Sequence, residues 1–196
     1  MSPRIGIVLF DGVEELDAVG PWEVFAAWSH YFPADEVAVS CLAPNGGTVA
    51  AAKGMTLTAH HSFADAPAYD VLLYPGGQGT RPLMKDEPHL AWLQEQRRAV
   101  PLMTSVCTGA LVYAAAGLLR NRPATTHWGS LDLLHETDPT ITVRPDDRYV
   151  DDGDVVTSSG VSAGIDMALH LVRRFAGEER AREVRRVIQY DPAPPV

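Results

Sequence analysis

Three nearly continuous apolar runs, at residues 5–10, 69–74 and 100–106, constrain this chain more than any other feature. A strand with one wet face alternates apolar and polar residues. A strand that is apolar throughout is buried on both faces, as in a parallel sheet covered by helices. A fourth stretch, 36–42, sets Val37, Val39 and Cys41 against Glu36, Ala38 and Ser40, which predicts a further strand. Helix-spaced segments lie between the runs. One starts near Leu16 and gives way at Pro21, which opens a second helix to about Trp28. Others cover 88–99, with Leu90, Leu93 and Gln94 facing the sheet, then 110–116 up to Gly117, and 131–134. A helix opened by 159–164 carries Ile165, Leu169, Val172 and Phe175. A last one runs from Glu178 to about Ile188, before an extended tail at 190–195. Strands alternating with helices predict an α/β fold with a doubly wound, mostly parallel sheet and helices on both faces.

Ligands of such sheets bind beyond the carboxyl ends of the strands. Three features fall at that edge. Asp17 follows the first run, Gly76-Gly77 follow the second, and Cys107 follows the third at a direct strand-to-helix join. A thiol at a helix start meets free N–H groups, which favour thiolate, and a sharp elbow exposes it. Ser105 stands where the Gly-x-Ser-x-Gly elbow has its first glycine, and Gly109 fits a turn too tight for a side chain. The alternative for Cys107 is a small core residue, since free cysteines are usually buried and inert. Asp17 is either a helix cap or a carboxyl buried among apolar neighbours with its pKa raised. The Gly-rich turn 75–80 is neither a phosphate loop nor a dinucleotide fingerprint, because the Gly-Lys-Ser/Thr ending and the glycine spacing are missing.

The remaining polar residues read more plainly. His127 is a base or hydrogen-bond partner for the cysteine, or a core histidine. His60 and His61 are adjacent, so they point apart on a strand and suit a loop or edge better than one metal. Asp146, Asp147, Asp151, Asp152 and Asp154 surround an Asp-Gly hairpin turn without the terminal Glu of a calcium loop. Cys41 reads as a core residue, and with two cysteines in 196 residues no disulfide framework is expected. A net charge of −9 argues against non-specific nucleic-acid binding. No run approaches a membrane span and no signal peptide is seen, so a cytoplasmic protein of one domain, 1–196, is expected.

These residues together resemble the ThiJ/PfpI superfamily, whose flavodoxin-like members carry a nucleophilic cysteine at a strained elbow. The resemblance runs along essentially the whole chain. It rests on Glu15-Leu16-Asp17 with Gly20-Pro21, Tyr74-Pro75-Gly76-Gly77, Val106-Cys107-Thr108-Gly109-Ala110, Ala124-Thr125-Thr126-His127-Trp128 and Gly160-Val161-Ser162-Ala163-Gly164-Ile165-Asp166. The Cys-Thr-Gly-Ala elbow is most similar to that of the isonitrile hydratases and of the amidotransferase-like sensor domains of AraC-type regulators. The protease-like branch has His after the cysteine, where Thr108 stands here. The deglycase and glyoxalase-like branch usually has Glu at the place of Asp17.

The resemblance implies a Cys107 nucleophile, Asp17 as general acid and base, and Thr108 donating its hydroxyl or backbone N–H. The Gly77 N–H is a second donor on oxyanion-hole logic, and His127 stands behind them. It implies a small electrophilic substrate such as an isonitrile, no metal or organic cofactor, and a homodimer. Trp22, Phe25 and Trp28 offer a contact for that dimer, and Trp128 and Tyr113 a wall for the substrate. A redox or ligand sensor, the sensing domain of a regulator, and an activity on small aldehydes are the alternatives. Direct DNA binding and membrane association are not expected.

Overall fold

The computed structural model describes residues 2–191. Its centre is a seven-stranded sheet. β1 (Arg4–Val8) is followed by α1 (Glu15–Tyr31), β2 (Ala38–Ala43), a small antiparallel pair β3 (Gly47–Ala50) and β4 (Thr56–Ala59), and the short edge strand β5 (His61–Ser62). Next come β6 (Val71–Tyr74), α2 (Thr80–Leu83), α3 (Glu87–Ala99), β7 (Leu102–Val106) and α4 (Gly109–Ala115). The chain continues through β8 (Pro123–Ala124), α5 (Leu131–Thr137), β9 (Thr142–Val143), the hairpin β10 (Tyr149–Asp151) and β11 (Val155–Ser158), and α6 (Ala163–Val187). The sheet order is β10-β11-β7-β6-β1-β2-β5, parallel except for β10.

The apolar runs are the middle of this sheet, and β6 and β7 are buried at every position. α1 and α6 pack together on one side of the sheet, and α3 packs with α4. The chain leaves β1 for β2 on one side and returns to β6 on the other. The strand order therefore reverses between β1 and β6, and this is where a doubly wound sheet opens a crevice.

Several expectations change. The helix does not break before Pro21: α1 is one helix of 17 residues with Pro21 inside it. Proline has no N–H for the carbonyl four residues back, which is that of Asp17. Packing overrides this defect, because Pro21 is buried against α6 at Gly164. In α3 the buried positions are His89 and Leu93; Gln94 is exposed and bonds to the Ala116 carbonyl. α6 starts at Ala163, so Ser159 and Gly160 stay in the preceding loop. Gly177 (φ 89°, ψ 169°) breaks α6 where the two separate helices were expected.

Phe25 and Trp28 belong to the chain's own core, with Trp28 Nε1 donating to Asp35 at 2.6 Å, so they form no dimer contact. The hairpin acids are solvent-accessible, as a solvated hairpin requires, and most of them are also ion-paired. Asp152 and Asp154 pair with Arg122, Asp154 also with Arg97, and Asp151 with Arg174 and His170. The part of the expected tail from Pro192 onward lies outside the described residues. Among the described residues no helix is long and apolar enough to cross a membrane.

Candidate active site

Asp17, Gly76-Gly77 and Cys107 meet at the crevice. The loop after β6 is laced to the turn after β1: Val13 pairs with Gly77, and Glu14 N–H donates to Gly76 O at 2.9 Å. This brings the first turn of α1 over the end of β6. Gly76 N–H then donates to Asp17 Oδ2 at 2.9 Å. A β-carbon on Gly76 would lie 2.5 Å from Thr108 N and 2.8 Å from Asp17 Oδ2, so only glycine lets the three segments close.

Cys107 sits between β7 and α4 with φ of 56°. A non-glycine residue there costs roughly 1–2 kcal/mol, and the surroundings must hold it. They do so through its backbone. Its N–H is shared between Ser158 O and Ser159 O at 3.1 and 3.2 Å, and Thr126 Oγ1 donates to its carbonyl at 2.7 Å. Gly109 lets α4 start against β6, since a β-carbon there would come within 2.2 Å of Tyr74 O. The elbow expected from sequence is present. The strain sits on the cysteine, and Gly109 serves close approach.

The side chains of the site are dry. Asp17 has no exposed surface, and Cys107 and Thr108 each keep 5%. Burial pushes the Asp17 carboxyl from 3.8 to about 7, opposed by the Gly76 N–H and by the neighbouring Cys107 thiol. Asp17 Oδ1 has no hydrogen-bond partner among the described residues. Burial also pushes the Cys107 thiol up to about 12, and the charge of Asp17 adds to this. Thr108 works the other way, with both its backbone N–H and its hydroxyl lowering the thiol. The expected depression of the thiol by the helix start is therefore outweighed by desolvation. Thiol and carboxyl share one proton once the first has left near 7, and thiolate forms when Asp17 holds the remaining one.

The Gly77 N–H is not free for a substrate, because it donates to Thr108 Oγ1 at 2.9 Å. His127 is not joined to Cys107. Its Nδ1 accepts from Gly129 N–H at 3.2 Å, and its ring lies over Gly160, where a β-carbon would come within 2.3 Å of it. Tyr113 is no wall either; it is fully buried and its hydroxyl donates to Thr104 O at 2.9 Å. Trp128 is 79% exposed and lines a cavity of about 430 Å3 with Leu16, Thr126, His127, Arg148 and Val161. This cavity adjoins the elbow, since Thr126 and the neighbouring Ser159 both bond to the Cys107 backbone.

Thr80, Thr126 and Ser159 support the site and were not singled out from sequence. Their only signals were of place: Thr80 ends the Gly-rich turn, Thr126 lies in the Ala124–Trp128 motif and Ser159 starts the 159–164 stretch. Both cysteines are free, and burial pushes the half-buried Cys41 up to about 12 as well. His60 Nδ1 accepts from Cys41 N–H at 3.0 Å and His61 lies in the edge strand, as the reading of an edge pair requires. Among the described residues no group of three or more His, Cys, Asp or Glu is placed to hold a metal.

The fold and the site define a flavodoxin-like α/β protein with an elbow cysteine beside a buried carboxyl. The chain matches the DJ-1/PfpI family over residues 3–174 and belongs to that family. It is 40% identical over 196 residues to the isonitrile hydratase of Pseudomonas putida, covering all of this chain and 82% of that protein. It is 32% identical over 185 residues to the HTH-type transcriptional regulator CdhR of Pseudomonas aeruginosa, covering 94% of this chain and 54% of the regulator. The chain thus spans about half the length of that relative. Among solved structures, a ThiJ/PfpI family protein from Pseudomonas syringae superposes with a TM-score of 0.89 at 28% identity, over all of this chain and 78% of that one. Drosophila melanogaster DJ-1beta gives 0.83 at 22% identity, over 97% of this chain and 100% of that one, a likeness of fold.

Proposed function

We propose that this chain is an isonitrile hydratase-like enzyme, adding water to R–N≡C to give the formamide R–NH–CHO. The observation that carries the reading is the fully buried Asp17 carboxyl, raised to about 7 by burial and set at the same crevice as the elbow cysteine Cys107. The 40% identity to isonitrile hydratase supplies the substrate class.

The reacting pair holds one proton, on Asp17, with Cys107 as thiolate. The thiolate adds to the terminal carbon, a C–S bond forms, and Asp17 passes its proton to that carbon, giving a thioimidate. Ionised Asp17 then takes a proton from water, whose oxygen adds to the same carbon, and returns that proton to nitrogen. Finally it accepts the hydroxyl proton as C=O forms and the C–S bond breaks. The formamide leaves, and the thiolate and the protonated acid are restored. Thr108 donates to sulfur whenever sulfur carries charge. The chemistry calls for no metal or organic cofactor, and a cytoplasmic homodimer is part of this reading.

Formamide production from an aliphatic and an aromatic isonitrile, with Cys107→Ala beside the parent, tests the proposal. Turnover by the parent and none by the variant supports it; turnover by the variant overturns covalent catalysis at Cys107. No turnover by the parent favours the second reading, a ligand-sensing domain, which the 32% identity to a regulator supports.

A further inference from the structure

A second cavity, of about 400 Å3, lies where the edge strand β10 meets α6 and shares no lining residue with the one beside the elbow. Arg173 lines it from before the Gly177 break of α6, and Arg182 and Arg185 from after it. The helix dipole favours cations in a last turn, as with Arg185 and Arg186. It accounts neither for Arg182, which lies before that turn, nor for three arginines gathering in one hollow.

Among the described residues two carboxylates line the cavity, those of Asp166 and Glu178. Asp166 is taken up by Arg148, whose Nε donates to Oδ2 at 2.9 Å, and by the Tyr190 hydroxyl, which donates to Oδ1 at 3.0 Å. Glu178 is left to serve the arginines, with Oε1 3.2 Å from Arg182 and Oε2 3.9 Å from Arg173. His170 adds no charge. A guanidinium can only donate, so His170 Nδ1 accepts from Arg173 Nη2 at 3.0 Å, and the ring hydrogen sits on Nε2, 2.6 Å from Asp151 Oδ2. Three guanidiniums therefore share one carboxylate. That leaves two positive charges unmatched, on a chain whose net charge is −9.

The unused hydrogens show what would match them. Arg182 spends its Nε on Glu178, and Arg185 spends its Nε on the Tyr190 carbonyl at 3.0 Å. The Nη groups of both have no partner among the described residues. Positions three apart share a helix face, so both forks open on the same hollow. Guanidinium forks match phosphate oxygens, and a phosphate monoester carries close to two negative charges near neutral pH. A monocarboxylate would leave one positive charge over. Beside the arginines lie Leu169 and the Tyr149 ring, stacked on His170 at 4.6 Å. They offer cover for an apolar group joined to the phosphate.

We propose that this hollow binds small soluble phosphate monoesters, the phosphate on Arg182 and Arg185 and the organic group against Tyr149 and Leu169. The site is apart from Cys107, and the proposal is independent of the hydratase reading.

The test is titration calorimetry of the whole chain with phenyl phosphate. The parent should bind one equivalent with a Kd below about 1 mM. Arg182→Gln and Arg185→Gln, both on exposed side chains, should each weaken binding about tenfold, the loss of a charge-assisted hydrogen-bonding partner. Arg186→Gln removes the same charge from the same helix but outside the hollow, and at physiological salt it should change binding by less than about twofold. Inorganic phosphate, which lacks the ring, should bind several-fold more weakly. No saturable binding by the parent overturns the proposal. So does an Arg186→Gln as weak as Arg182→Gln, which would make the attraction one of net charge. Succinate binding as tightly as phenyl phosphate overturns the choice of phosphate, and inorganic phosphate binding as tightly overturns the seat on Tyr149 and Leu169. Sedimentation with phosphatidylcholine vesicles, with and without phosphatidic acid, separates the soluble source from a lipid one. The chain should stay in the supernatant with both; loss to the phosphatidic acid vesicles alone overturns the soluble assignment.

Discussion

Asp17 Oδ2 accepts the Gly76 backbone N–H at 2.9 Å, and this one bond ties the first turn of α1 to the end of β6 across the crevice of the sheet. It is also the one backbone donor that offsets the desolvation of the carboxyl. The carboxyl still ends near 7, so burial outweighs the bond.

A raised carboxyl is a stability cost above its ordinary range. The folded state keeps a proton that the unfolded chain releases from 3.8 upward. Stability from this group is complete below that value and is lost as pH rises through about 7. Asp17→Asn cannot ionise, and its amide oxygen still accepts from Gly76. The variant should therefore melt higher than the parent at pH 8, with the gap closing toward pH 4. The shift sets a ceiling of about 4 kcal/mol. Thermal melts of both chains across that range check it; a variant less stable at pH 8 contradicts the buried acid. Turnover in the same variant should fall at least about a hundredfold, since the proton carrier is gone.

The shared proton fixes the sign of the rate profile. The form that reacts has one proton between Asp17 and Cys107. The two-proton form gives up its first proton near 7, and the second leaves only toward 12. The value of kcat/KM should rise through about pH 7 and stay level to pH 9 or beyond. Steady-state rates on one isonitrile measure this. A rate that falls as pH rises through 7 would mean that the doubly protonated pair reacts.

Gly76→Ala places a methyl within 2.5 Å of Thr108 N and 2.8 Å of Asp17 Oδ2. Both neighbours are backbone or buried, so the segments must part. We expect a loss of about 1–3 kcal/mol in stability and at least a tenfold loss of turnover. Denaturant unfolding beside kinetics separates the two effects.

The elements that mark the site were legible because each follows an apolar strand directly. Asp17, Gly76-Gly77 and Cys107 need only strand direction to share an edge. What holds Cys107 in its strained conformation was not legible, because Ser158, Ser159 and Thr126 reach it from remote parts of the chain. Local rules misled in two places. Pro21 predicts a break, which burial against α6 suppresses. A helix start predicts a depressed thiol, whereas desolvation of Cys107 raises it, a property of the packed state alone. The aromatics of α1 illustrate the same limit: their spacing cannot say whether Phe25 faces a partner or the core. It faces the core with no exposed surface, so Phe25→Ala should cost about 3–5 kcal/mol and leave the oligomeric state unchanged.

Trp128 tests the cavity beside the elbow. Its ring is 79% exposed and lies beside the His127 ring, at 5.4 Å between centroids. An exposed tryptophan with so little packing adds almost nothing to stability, so Trp128→Ala should stay within about 0.5 kcal/mol of the parent. Leu16, 39% exposed, faces the same cavity from the residue before Asp17. A substrate whose carbon lies at Cys107 has this apolar pair as the nearest cover for its N-substituent. For a bulky aromatic isonitrile the variant should raise KM several-fold, the loss of about 1 kcal/mol of aromatic contact. For methyl isonitrile, too short to reach the ring, KM should hold. Paired kinetics on the two substrates decide the matter: an equal rise for both would remove Trp128 from the substrate wall and place the N-substituent elsewhere around the elbow.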